Sequence, residues 1–187
     1  NNTPLIKKIS FIKTLASDIK VAAISSSSSY VVNRVINKID KDLNLIIEQG
    51  PGDGVMSKAL LSKLSPNGSL ILIESNLEFV QELKKIKDKR ITIFHGTVQD
   101  FYKKIDKNYP KADLVVSSIP FTLVKKVERE QIIKQSFEML TDSGSIIIFH
   151  QYSLLMSKYV KKYFKNISTF FEPRNIMPCF IIVGKKQ

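Results

Sequence analysis

The sequence holds one cysteine, two histidines and no tryptophan, and no apolar run approaches the ~20 residues of a membrane-spanning helix. The lone thiol, Cys179, rules out a disulfide framework. Set in Pro178-Cys179-Phe180-Ile181-Ile182-Val183, it reads as a small buried apolar residue and suits a reducing cytosol. With no Cys/His cluster, no metal site is expected. No cleavable signal peptide and no internal repeat are apparent, and the lack of tryptophan says nothing of function. Acids are also in short supply: 17 Asp and Glu stand against 29 Lys and Arg, for a formal charge of +12. Such an excess speaks to partners rather than fold. It fits an anionic membrane surface, a nucleic acid, or simply a lysine-rich solvated surface. What the chain does have is apolar mass, 43% of 187 residues, enough for a single globular domain with a sizeable core.

Residues 4–24 carry Leu5, Ile6, Ile9, Ile12, Leu15, Ala16 and Ile19 at helical spacing, with lysines between them. This basic amphipathic segment suits a membrane surface, a partner groove or packing on its own domain. A serine run, Ser25–Ser29, follows, and then a second helical pattern over Tyr30–Ile39. Residues 1–40 are accordingly expected to form an N-terminal helical segment packed on or flanking a core of residues 41–187.

From residue 43 the pattern alternates. Strands are expected at Leu43–Glu48, Ser69–Glu74, Arg90–His95, Ala112–Ser117, Ser145–His150, Ser168–Glu172 and Phe180–Lys185. Helices are expected at Val55–Leu64, Leu77–Ile86, Lys126–Leu140 and Leu154–Phe164, with turns at Pro66-Asn67-Gly68 and Asp142-Ser143-Gly144. Near-continuous apolar strands alternating with helices indicate a doubly wound, mostly parallel α/β sheet. The last two strands, separated only by Pro173–Pro178, read as a hairpin, which makes the final strand antiparallel.

Ligands of such sheets bind beyond the carboxyl ends of the strands. The first strand ends in Glu48-Gln49-Gly50-Pro51-Gly52-Asp53-Gly54, an acid followed by a glycine-rich turn that lets backbone approach a ligand closely. The second strand delivers Glu74-Ser75-Asn76, whose acid can accept hydrogen bonds from both hydroxyls of a ribose. The third delivers Gly96-Thr97-Val98, the fourth Ser117-Ser118-Ile119-Pro120-Phe121 and the fifth His150-Gln151-Tyr152. Val55 stands where the last glycine of a dinucleotide turn would be, and no P-loop Lys-Ser/Thr pair follows. A nucleotide-like ligand without that phosphate signature, carrying a cationic amine, suits the site better.

The segment Glu48–Gly54 resembles the E-x-G-x-G-x-G motif of class I S-adenosylmethionine-dependent methyltransferases. That resemblance implies a Rossmann-like seven-stranded sheet in the order 3-2-1-4-5-7-6. It also implies S-adenosylmethionine as cofactor, held by Glu48, Gly50, Pro51, Gly52, Glu74, Ser75, Asn76, Gly96, Thr97, Val98 and Ser117. Glu48, Gly50 and Gly52 would serve the methionine part, Glu74 the ribose, and Thr97 with Val98 the adenine. Thr97 occupies a place that is commonly Asp in the family, while Asp100 lies three residues on.

Two related families carry a segment comparable to Ser117–Phe121. Ribosomal RNA adenine dimethyltransferases have Asn-Leu-Pro-Tyr, whereas bacterial phospholipid N-methyltransferases have Ser-Gly-Leu-Pro and an apolar residue. Ser118 stands at the Asn position, although Phe121 could still stack a base. Lys20–Ser28, Phe149–Ser153 and Arg174–Pro178 also resemble segments of the phospholipid enzymes. The RNA enzymes continue into a helical domain, whereas this sequence ends at Gln187.

The resemblance implies methyl transfer to the amine of phosphatidylethanolamine at the inner face of a membrane, by a cytoplasmic, peripherally bound enzyme. Ser118, His150 and Tyr152 are the candidate catalytic residues. Tyr30, Ser118, Ile119, Pro120, Phe121, Tyr152 and Arg174 are the candidate acceptor-binding residues. RNA adenine methylation and a non-catalytic membrane- or RNA-binding module stay open as alternatives.

Overall fold

The computed structural model describes residues 28–40, 42–106, 108–151, 153–174 and 178–187. The expected amphipathic segment 4–24, Tyr152 and Asn175–Met177 lie outside the described residues.

Helix α1 spans Ser29–Ile36. It begins where the Ser28 hydroxyl accepts the Val31 N–H, and it buries Val31, Val32 and Val35. The alternating unit then runs β1 Leu43–Gln49, α2 Val55–Leu60 with a 3-10 turn at Leu61–Lys63, β2 Leu64–Glu74, α3 Leu77–Leu83, β3 Ile91–His95, α4 Val98–Lys104 and β4 Ala112–Ser117. A 3-10 turn at Phe121–Leu123 leads to α5 Lys126–Met139, β5 Leu140–Gln151, α6 Ser157–Tyr163, β6 Asn166–Glu172 and β7 Cys179–Lys185.

The strands form one seven-stranded sheet in the order β3-β2-β1-β4-β5-β7-β6, with β7 antiparallel to both neighbours. The doubly wound topology expected from the sequence is therefore present. Alternation along each strand sorts the core into two layers. Ile46, Leu70, Leu72, Leu114, Ile147 and Ile181 face α1, α2 and α3. Ile47, Ile71, Val115, Ile146, Ile148 and Ile182 face α4, α5 and α6. With helices on both faces the central strands read as unbroken apolar runs.

Three local departures from expectation have physical causes. First, α4 fills a stretch where the sequence reading has no helix; its start is a capping box, in which Thr97 and Asp100 each accept the other's backbone N–H. Second, β2 begins at Leu64 and takes in Pro66-Asn67-Gly68. Leu43 pairs with Leu64 and Leu45 with Ser69, so the turn residues bulge out of the ladder between those pairs. The same occurs at Asp142-Ser143-Gly144, between the Ala112–Leu140 and Leu114–Ser145 pairs. Third, α6 starts at Ser157 rather than Leu154.

Candidate functional site

The strand order reverses between β1 and β4, and the crevice outside their carboxyl ends is where an open α/β sheet binds ligands. The loops there are tied to one another by backbone hydrogen bonds. Gly50 N–H donates to Ile73 O (2.9 Å), Ser118 N–H to Gln49 O (3.0 Å) and Gly96 N–H to Glu74 O (2.9 Å). The Ser118 hydroxyl donates to the carbonyl of Gly50. Gly50 (φ +75°) and Gly52 (φ +57°) turn the chain through the left-handed region. A Cβ on Gly50 would sit 3.4 Å from the Ile119 side chain, while one on Gly52 would meet nothing within 4 Å. The turn is thus backed by the β4 loop on one side and open on the other.

The two acids predicted at the strand ends are both present but differently housed. Glu74 reaches the glycine turn: Oε2 accepts the Gly52 N–H (3.2 Å) and Oε1 the Asn76 N–H (2.8 Å). A carboxylate offers about four lone-pair sites, so both oxygens keep acceptor capacity. Glu48 is only 1% exposed. Its Oε2 accepts the Ser57 hydroxyl (2.6 Å), and its Oε1 is buried with no protein partner. Burial pushes its carboxyl up to about 8; the Ser57 hydrogen bond opposes this, and the charges of Asp53 and Glu74 add to it. Ser57 is missing from the sequence-predicted set. Its signal is a polar residue at an inward position in the first turn of a helix that follows an acid-ended strand.

Asn76 caps α3 by accepting the Glu78 N–H (2.8 Å), Ser75 is exposed beside it, and Gly96, Thr97 and Val98 line up at the end of β3. Val98 is buried, and the Thr97 hydroxyl is engaged with Asp100, to whose Oδ2 it donates (2.6 Å). Asp100 therefore acts as a helix-capping acid. Ser117 is fully buried, whereas Ile119 and Pro120 stay accessible. Phe121 requires a correction. Its ring is 0% exposed and packs in the core beneath the loop, so it presents no face on which a base could stack. His150 lies at the end of β5, opposite Phe180 of β7.

Tyr30 and Arg174, far apart in sequence, meet at the β6 end, with the guanidinium carbon 4.6 Å from the ring centroid. Glu172 organises them. Its side chain is fully buried and takes three hydrogen bonds from Arg174 (Nε 2.7 Å, Nη2 2.8 Å, backbone N–H 3.1 Å) and one from Arg34 (2.9 Å). Arg174 above all, with help from Arg34, holds this carboxyl down at about 2 against the effect of burial. Sequence reasoning missed Glu172, although an acid closing an apolar strand two residues before an arginine is a readable signal. A separate cavity of about 210 Å³, lined by Tyr102, Ile105, Tyr109 and Met139 among others, lies toward the other end of α4 and α5, away from these strand ends.

A family model, the methyltransferase small domain, matches residues 13–176. Among curated proteins the chain is similar to an ornithine lipid N-methyltransferase of Singulisphaera acidiphila, 22% identical over 162 residues and covering 84% of each chain. Among solved structures it is similar to a precorrin-6y C5,15-methyltransferase of Geobacter metallireducens (TM-score 0.66, 18% identity, 84% of this chain and 87% of that one). It is also similar to a methyltransferase of Pyrococcus furiosus (TM-score 0.65, 13% identity, 85% of this chain and 83% of that one).

Proposed function

Because the chain belongs to the methyltransferase small domain family and uses S-adenosylmethionine on a class I fold, we propose that it methylates the amine of a phospholipid head group, phosphatidylethanolamine, at a membrane surface. The observation that carries the choice of acceptor is the hydrogen bond from Ser118 to the Gly50 carbonyl. With its proton directed there, the Ser118 oxygen offers only acceptor lone pairs to the crevice. An adenine edge presents both a donor and an acceptor and needs both kinds of partner. An amine presents N–H donors and needs acceptors alone. The buried Phe121, with no face for stacking, also favours the amine. The similarity to an ornithine lipid N-methyltransferase supports a lipid amine and makes ornithine lipid the second candidate acceptor.

The crevice fits S-adenosylmethionine in three respects. Glu74 has unused acceptor capacity for two ribose hydroxyls. The turn is open at Gly52, where a side chain would project into empty space. The unpartnered Glu48 Oε1 lies beneath the turn, where a cationic ligand would draw the carboxyl, protonated without it, towards ionisation. When bound, S-adenosylmethionine supplies an electrophilic methyl on a sulfonium. The protein's part is to hold the acceptor nitrogen in line and neutral. Ser118, Ile119 and Pro120 would border the amine, and a dry site would lower its pKa. His150, at the adjoining strand end, or Tyr152, two residues on in the sequence, would take the proton. Arg174, beside Tyr30, would face the anionic part of the head group.

The test uses S-adenosylmethionine labelled in its methyl, offered with vesicles containing phosphatidylethanolamine, vesicles containing ornithine lipid, and RNA in parallel. Label in the phosphatidylethanolamine fraction, increasing with anionic lipid, is the expected result. Label confined to ornithine lipid would move the acceptor to the second candidate, and label in RNA alone would overturn the lipid reading.

A further inference from the structure

Among the described residues, the exposed large apolar side chains are Tyr30, Leu77, Leu123, Val127, Leu154 and Phe171. Their places in the chain look unrelated, but the topology brings them to one edge. Leu77 opens α3 just past the end of β2. Leu123 follows β4, and Val127 lies in the first turn of α5. Leu154 follows β5. Phe171 is the penultimate residue of β6, which runs parallel to β5 because each is antiparallel to β7. Tyr30 touches Arg174 beside it. All therefore stand at the carboxyl edge, around the mouth of the crevice.

The part of this rim over β4, β5 and β6 is also basic. Lys125 and Lys126, the two charged residues between Ser118 and Val127, are both exposed and lie between Leu123 and Val127 in the chain, while the acid that follows, Glu128, is half-buried. Lys158 is exposed near Leu154 and Arg174 near Phe171; the buried Glu172 is shared between Arg174 and Arg34, which leaves that group one net positive charge. Val127 is 79% and Leu123 57% exposed, so these two are not edges of core residues. An exposed apolar cluster interleaved with cations, next to a ligand crevice, has the composition of a surface that enters a lipid interface. Its apolar groups pass the head groups while its cations stay among them.

We propose that the β4–β6 part of the carboxyl edge, carrying Leu123, Val127, Leu154 and Phe171 among Lys125, Lys126, Lys158 and Arg174, docks directly on an anionic bilayer, so that the crevice opens into the head-group layer. This rests on the lipid reading of the site. It further requires that the catalytic rim itself touches the membrane, so that the acceptor amine need not leave the bilayer to reach Ser118.

The absence of tryptophan from the chain gives a clean test. Val127→Trp and, separately, Leu123→Trp place a single reporter on the rim, and Ser143→Trp places one at the opposite edge of the sheet. Each full chain is mixed with vesicles of phosphatidylglycerol and phosphatidylcholine brominated near the head-group end of the acyl chains. These contain no amino lipid, so the outcome does not depend on the acceptor. The expected result is a blue shift and roughly a twofold fall in emission for the rim reporters, as for side chains lodged ~5–10 Å into the interface, with Ser143→Trp unmoved. Vesicle binding without quenching at the rim, or equal quenching at both edges, would overturn the proposal. So would a rim emission shift produced by RNA but not by vesicles. Quenching as expected alongside label found only in a different lipid would correct the acceptor and leave the docking face standing.

Discussion

Glu48 and Glu74 stand at the ends of neighbouring parallel strands and read alike in the sequence, yet only Glu74 accepts a backbone N–H of the cofactor turn, that of Gly52. Glu48 lies beneath that turn against Ser57, with one oxygen unpartnered. The acid-turn-acid order was legible because each residue sits at a strand end. The difference in housing was not, because it depends on how α2 folds back and on which face of β1 carries Glu48. That difference makes Glu48 sensitive to pH. Its carboxyl is raised from an ordinary 4.5 to about 8, so the folded, ligand-free protein holds a proton that the unfolded chain releases earlier. The contribution is fully favourable below about 4.5 and is lost as pH rises through about 8, because ionisation leaves a buried charge. Glu48→Gln is therefore expected to flatten the fall in thermal stability between those values, with the variant gaining on the parent at the alkaline end. Melting temperatures measured across the range check this. Parallel curves for parent and variant would show that Glu48 is not the titrating group.

At the scale of elements, the sheet was readable throughout because two-sided burial writes itself as apolar runs, and the final hairpin because too few residues separate its strands for a crossover. Helix α4 was not read, although its capping box is plain in Thr97-Val98-Gln99-Asp100. Asp100 reads there only as an acid three residues past the place the family commonly gives to Asp, and seven residues are too few for a strong period. The box closes a helix that carries Val98 and Phe101 into the core and places Thr97 at the crevice. Thr97→Ala removes both the acceptor for the Asp100 N–H and the hydroxyl bond to its carboxylate. A cost of about 1 kcal/mol in chemical denaturation is expected, from loss of the cap. Asp100→Asn, which keeps an acceptor for the Thr97 N–H, should cost less. If both are neutral, the fold does not depend on the box.

At the scale of the whole molecule, a formal charge of +12 by itself fits an anionic membrane, a nucleic acid or a lysine-rich solvated surface. What it lacks is position. Lysines spread evenly over a surface attract any polyanion, whereas cations gathered with apolar groups around a site mouth choose an interface with hydrocarbon behind it. The two cases differ in salt dependence. Attraction of surface cations to an anionic layer is worth about 1 kcal/mol per residue near the surface and is screened over ~8 Å at physiological ionic strength. Side chains such as Leu123 and Val127 gain from leaving water whatever the salt. Binding to anionic vesicles should therefore weaken as sodium chloride rises and then level off at a residual affinity, rather than decline without limit as in pure counterion release. Reversing charge with Lys125→Glu and Lys126→Glu together should lower vesicle affinity roughly tenfold or more at low salt and little at high salt, since the apolar contacts remain. Leu123→Ser and Val127→Ser together should lower the high-salt plateau instead. Sedimentation with vesicles over a salt series separates the two. A double lysine variant that binds as the parent does at low salt would mean that the charge acting on the membrane lies elsewhere on the chain.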